Sequence, residues 1–165
     1  MKQGNHYIMT SIFAAVLGFV SIAANANGNI YSGLGVGLAS PSNSGLERAH
    51  AWNVFAGNEV NENLAFEVGY TSFGSMGNSV NIKAYEGSSV AILPIGDELK
   101  VFVKAGVISW RIDNAEGADV FYAIGAEYAF FDKMSVRASW NSYTLDNSDF
   151  DINVDLFTMN LVYRF

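Results

Sequence analysis

The chain has no cysteine, two prolines, two histidines and only nine Lys or Arg against sixteen Asp or Glu. Without cysteine there is no disulfide framework, no thiol nucleophile and no Cys-ligated metal. A formal charge of −7, with no basic stripe, excludes neutralising the phosphates of a nucleic acid. It also argues against attraction to anionic lipid surfaces as a main activity. No His/Glu metal-ligand spacing occurs, and no glycine-rich phosphate loop precedes a helix. Beyond residue 22, no stretch is apolar enough for a membrane helix.

What is present is alternation. Phe157, Met159, Leu161, Tyr163 and Phe165 take every second position at the end of the chain. Strand side chains alternate between faces, so these five form one apolar stripe, with Thr158, Asn160 and Arg164 opposite. On a soluble protein such an edge invites aggregation; in a closed membrane barrel the stripe faces lipid. At the other end, Lys2 precedes an apolar run over 12–22, and Ala24-Asn25-Ala26 supplies the small residues of a signal-peptidase site. The run is short for a span of about 30 Å. Residues 1–26 therefore read as a secretory signal, with Ala24 and Ala26 at the cleavage site, and 27–165 as one barrel domain.

Eight alternating segments follow, at 30–40, 51–60, 64–73, 82–93, 99–108, 120–130, 134–141 and 155–165. The fourth is weakest, because Gly87-Ser88-Ser89 blurs its period. In the first, Gly33, Gly35 and Gly37 share a face, as if making room for bulky charged neighbours inside a narrow barrel. Short turns at 61–63, 94–98 and 132–133 alternate with longer connections at 41–50, 74–80, 111–119 and 143–153. Phe73, Tyr128, Phe130, Trp140, Tyr163 and Phe165 sit near segment ends, where interfacial girdles belong. Strands of about ten residues joined this way predict an all-β fold, an eight-stranded antiparallel up-and-down transmembrane barrel in the outer membrane of a Gram-negative bacterium. The acidic run Asp146, Asp149, Asp151 and Asp155 reads as a solvated loop, with cation binding as the alternative.

The stretch FAGNEVNENLAFEVGY over 55–70 resembles a strand-turn-strand of the outer membrane protein A transmembrane domain family. The fifth segment with Trp110-Arg111-Ile112-Asp113, then Gly125-Ala126-Glu127-Tyr128-Ala129, then Leu161-Val162-Tyr163-Arg164-Phe165 are similar in order and spacing. The resemblance covers nearly all of residues 27–165. It implies insertion by the barrel-assembly machinery, which would read the terminal aromatic strand. Longer family members add a periplasmic peptidoglycan-binding domain, which the ending at Phe165 leads one not to expect here.

If the apolar faces meet lipid, Glu67, Lys104, Glu127 and Arg137 all point inward, among small or polar neighbours. Two acids and two bases can satisfy one another where isolated charges would be expensive, and the forked guanidinium of Arg137 is the natural centre. In the resembling family an interior carboxylate and arginine plug the lumen, and Glu67 and Arg137 fall at the matching places. The pattern departs at Val90 and Ser139, where the family can carry further charge, and this thins the network. Either these charges fill and rigidify the lumen or they form a switchable plug over a narrow ion path. On the second reading, Arg137→Ala would lower stability and raise conductance.

Other classes have less in their favour. A lipid-modifying barrel enzyme needs an activated nucleophile; only His50 follows the signal segment, near Ser42 and Ser44, with no third orienting group evident. A soluble periplasmic ligand-binding barrel would put the charges outside. The sequence favours a monomeric barrel that is not an enzyme and needs no cofactor. Its neighbours are outer-membrane lipids, and its role is structural, in envelope integrity, or adhesin-like, through an extracellular ligand held by the loops.

Overall fold

Runs of β-branched and aromatic residues at period two, punctuated by short polar turns, fold here into strands alone. The structure, a computed structural model, describes residues 29–42, 48–76, 80–112, 115–147 and 150–165. The signal segment 1–26, with Ala24 and Ala26, and also Ser44 lie outside the described residues. The strands are β1 (Asn29–Pro41), β2 (Ala49–Asn61), β3 (Leu64–Met76), β4 (Val80–Pro94), β5 (Leu99–Ile112), β6 (Ala115–Phe131), β7 (Met134–Asn147) and β8 (Phe150–Arg164). Each pairs antiparallel with the next, and β1 pairs with β8 from Tyr31↔Arg164 to Pro41↔Val154, so the barrel closes. Closure gives the backbone N–H and C=O groups partners without an open edge, the requirement for crossing lipid as strands.

The terminal stripe lies on the outer surface. Phe157, Met159, Leu161, Tyr163 and Phe165 are 41–70% exposed, whereas Thr158 and Asn160 between them are 3% exposed. The same phase runs around the barrel, with Leu34, Val54, Phe66, Val103, Ile124 and Leu161 all outward. Aromatic pairs mark both edges of this apolar belt. Trp52–Tyr70, Tyr70–Tyr85 and Tyr122–Trp140 lie at one edge, with centroids 5.3, 5.2 and 6.2 Å apart. Tyr163–Phe165, at 5.2 Å, lies at the other. The short turns all fall beyond this second edge, the periplasmic one. In the first of them the Asn61 side chain accepts the Asn63 N–H at 2.9 Å.

The strands run several residues past the segments read from sequence. Much of 74–80, 111–119 and 143–153, expected as loops, continues the β3–β4, β5–β6 and β7–β8 hairpins. The reason is a change of phase at the outer girdle. Below it, apolar residues face out and polar ones in; above it the outer surface meets water, and the preference inverts. On β5, Val103 and Val107 face out, but further along Ile108 and Trp110 face in and Arg111 out. Phe73 belongs to this group: it is fully buried on the Glu67 face of β3, so it lines the interior and is not part of a girdle. The weak fourth segment takes a single register, with Tyr70↔Tyr85 and Glu67↔Ser88, which points Glu86 inward and leaves Ser89 facing out.

Candidate functional site in the barrel lumen

Glu67 on β3 and Arg137 on β7 are 3% and 4% exposed and meet across the lumen. Arg137 Nη1 donates to Glu67 Oε1 at 2.5 Å, while its Nε and Nη2 donate to Glu127 Oε2 at 2.8 and 2.7 Å. Lys104 Nζ pairs with the second oxygen of Glu67. Neutral donors complete the shell: Tyr31 Oη to Glu67 at 2.7 Å, and Ser135 Oγ to Glu127 at 2.7 Å. All four charges named from the sequence thus lie in one cluster. The cluster is longer than those four. Arg164 Nη2 bridges Glu127, at 2.5 Å, and Glu59, at 3.1 Å, and Lys100 Nζ binds Glu59 at 3.0 Å. The result is an alternating chain, Lys104–Glu67–Arg137–Glu127–Arg164–Glu59–Lys100, leading from mid-lumen towards the periplasmic end.

Glu59, Lys100 and Arg164 were legible as inward residues, since each lies out of phase with its strand's lipid face. Arg164 stands opposite the terminal stripe in the sequence, while Glu59 and Lys100 sit near strand ends, where a charge reads as solvated. Val90 and Ser139 do point inward. Val90 packs in an apolar cluster with Ile92 and Phe102, and Ser139 Oγ lies 2.8 Å from Thr158 Oγ1.

Arg137 is also held by rings. Its Cζ lies 4.8 Å from the Phe55 centroid, 4.9 Å from Phe102 and 5.4 Å from Tyr31. Each ring lies over a glycine directly opposite in register: Phe55 over Gly33, Tyr31 over Gly57, and Phe102 over Gly125. A Cβ at any of the three would overlap the ring. Of the β1 glycines expected to make room for charged neighbours, Gly33 faces the Phe55 ring, Gly35 the Asn160 side chain and Gly37 Thr158 and Leu156; the rings over Gly33, Gly57 and Gly125 cage the central cation.

Above this level the lumen changes character. Glu86 Oε1 accepts from Thr71 Oγ1 at 2.5 Å and from Tyr143 Oη at 3.1 Å. Glu86, Lys104, Arg137 and Asn141 border a cavity of about 20 Å³, room for about one water. Tyr143 is the hinge between chemistries, because its ring belongs to an apolar layer that fills the outer end. Phe73 meets it edge-on at 4.9 Å and Phe121 stacks on it at 5.2 Å. Ile82, Ile108, Trp110, Val154 and Leu156 complete the layer, all at most 1% exposed. Trp110 Nε1 finds its acceptor in Asp119 at 2.6 Å.

Of the remaining sequence candidates, His50 and Ser42 lie outside the lumen. His50 is exposed near the start of β2, whereas Ser42 Oγ donates to Asp155 Oδ2 at 3.2 Å beside β8. Asp146 and Asp151 stand opposite each other in register on the β7–β8 hairpin; Asp149 lies outside the described residues.

Known proteins share this architecture. Outer membrane protein A of Shigella flexneri is 26% identical over 94% of the chain and 54% of its own length, so the chain spans about half of that relative. The N-terminal β-barrel domain of Pseudomonas aeruginosa OprF superposes with a TM-score of 0.62 at 15% identity, covering 84% of this chain and all of that one. Ail, the attachment invasion locus protein of Yersinia pestis, solved in complex with the heparin analogue sucrose octasulfate, gives 0.61 at 14%, over 84% and 99%. At such identities the two structures establish the fold alone, an eight-stranded barrel. With an apolar belt, paired girdles and a closed β1–β8 seam, and with residues 12–165 matching its model, the chain belongs to the outer membrane protein beta-barrel domain family.

Proposed function

We propose that this protein is a non-conducting barrel of the outer membrane with a structural and surface-interaction role. Its lumen acts as a rigid internal strut and not as a path. The observation that carries this reading is the filling of the interior: an alternating ion-pair chain below, and a buried aliphatic and aromatic layer above. An eight-stranded barrel has room for side chains and little else. What remains for chemistry is the outward ends of the hairpins, which reach past the membrane on rigid strands. Ail, solved with a heparin analogue, gives precedent for ligand binding by a barrel of this shape. The test combines planar-bilayer recording of the purified barrel with cell-surface binding by bacteria carrying it. We expect no steady conductance, and binding that is lost when residues 42–48 are replaced by a Gly-Ser linker while the heat-dependent gel shift of the folded barrel persists. A steady wild-type conductance would overturn the reading.

Biogenesis is proposed on the same terms. Residues 1–26 act as the export signal, cleaved after Ala26, and Phe157, Met159, Leu161, Tyr163 and Phe165 act as the stripe read by the barrel-assembly machinery. Deleting Phe165 should sharply reduce folded protein in the outer-membrane fraction, while refolding in detergent proceeds nearly as before. Protein that does arrive should begin at Asn27 by mass spectrometry. Equal accumulation of the deletion variant would rule out a signal at that residue.

A further inference from the structure

Above the outer girdle the strand ladder opens on one side. Among the described residues, pairing between β6 and β7 ends at Phe121↔Tyr143, yet both strands continue past it. Residues 115–120 of β6 stay paired to β5, out to Ile112↔Ala115, and residues 144–147 of β7 stay paired to β8. The β5–β6 and β7–β8 hairpins therefore part, and each turns an edge to the other. Open backbone is excluded from hydrocarbon, but the Tyr122–Trp140 pair marks the girdle and the notch lies beyond it, in water. The β6 edge over 115–120 is about 20 Å long, the length of an ordinary strand. On an antiparallel strand every second residue turns both its N–H and its C=O to one neighbour. The edge is thus a row of donors and acceptors with no strand to take them. It is also held from beneath. Trp110 on β5 is the register partner of Gly117, and a Cβ on Gly117 would overlap the indole. Trp110 Nε1 donates to Asp119 Oδ2 at 2.6 Å, and Trp110 is 1% exposed. Residues 117–119 lie on a buried plate, which lowers the ordering cost of adding a strand there.

Charge decides what the edge can take. Segments 109–120 and 142–155, which flank the notch, hold seven of the chain's sixteen acids and one base, Arg111, which already contacts Glu116 at 3.2 Å. Two copies of this edge repel one another, so pairing of like with like is disfavoured. A strand carrying Lys or Arg meets a field of opposite sign. We propose that the β6 edge over residues 115–120 binds a cationic, extended peptide segment of an external partner by strand addition. Main-chain hydrogen bonds to β6 hold the segment, and its basic side chains lie among the acids of the two hairpins. This rests on the surface-interaction role proposed above, and gives that role a partner class and a second place on the rim, away from residues 42–48.

The test uses the purified folded barrel in lipid nanodiscs and a short labelled peptide in which Lys alternates with Thr or Val. Fluorescence anisotropy reads affinity, and amide hydrogen exchange by mass spectrometry reads the site. The peptide should bind and slow exchange over 115–120. N-methylating alternate peptide amides, which keeps the charge and blocks the ladder, should weaken binding about tenfold. Glu116→Gln combined with Asp146→Asn should also weaken it about tenfold, with the heat-dependent gel shift intact. A peptide with Glu in place of Lys should not bind, and a Gly-Ser linker over 42–48 should change nothing. Equal affinity of the N-methylated peptide overturns the proposal, because charge alone would then hold it. So does binding without protection over 115–120, or self-association of the barrel that protects 115–120 without peptide. Failure of the Lys peptide to bind overturns it too; cell-surface binding that persists in that case leaves the broader role standing.

Discussion

Replacing Arg137 with alanine is expected to cost the folded barrel about 3–5 kcal/mol, read by urea unfolding in lipid vesicles. The loss is large because of what stays behind. Glu67 and Glu127 are buried at 3% and 4% exposure, and each loses its guanidinium partner. Glu67 retains Lys104 and the Tyr31 hydroxyl, and Glu127 retains Arg164 and Ser135, so the barrel is weakened without being abolished. The rings of Tyr31, Phe55 and Phe102 also lose the cation they surround. Arg137→Lys should be intermediate, because an ammonium restores charge but cannot serve both carboxylates as a fork does. Adding Glu67→Gln to Arg137→Ala should not recover the loss, since it takes from Lys104 the carboxylate it pairs with. A cost below about 1 kcal/mol for Arg137→Ala would mean that the network is solvated and not structural.

Opening the lumen should require a second lesion. Taken alone, the charge pattern of the sequence predicts that neutralising Arg137 raises conductance. The aromatic layer of Phe73, Trp110, Phe121 and Tyr143 lies in series with the ion pairs, and an apolar constriction resists wetting whatever the charges below it do. Arg137→Ala alone should therefore stay closed in planar bilayers. Combining it with Phe121→Ala, which removes the ring stacked on Tyr143, should give measurable ion flow. Trp110→Ala, at a side chain 1% exposed, should cost about 3–5 kcal/mol by leaving a cavity. If Arg137→Ala conducts as well as the combined variant, the layer is no barrier and the charge network is the gate.

Side-chain phase is legible in the sequence only as far as the lipid belt extends. Within the belt it was read directly, because lipid enforces apolar-out at every second residue; Glu67, Lys104, Glu127 and Arg137 could be placed inward from their own strands. Above the girdle the same alternation continues with its sign reversed, and a reader following apolar-out sees it dissolve into loop. Phe73 therefore reads from the sequence as a girdle residue although it is buried, and Trp110, Phe121 and Tyr143 carry no inward mark of their own. Glu86 was hidden differently, by the Gly87-Ser88-Ser89 stretch that gives β4 no clear face of its own.

That this chain forms an eight-stranded outer-membrane barrel, and which residues of its belt face inward, is legible along the chain, because period-two hydrophobicity is a local property. Which residues meet inside was decided only by the closed fold. Arg137 lies seventy positions from Glu67, and the three glycines lie opposite three rings only in the adopted register. Pairings across a lumen depend on strand order, register and shear together, and no single segment of the chain carries that information.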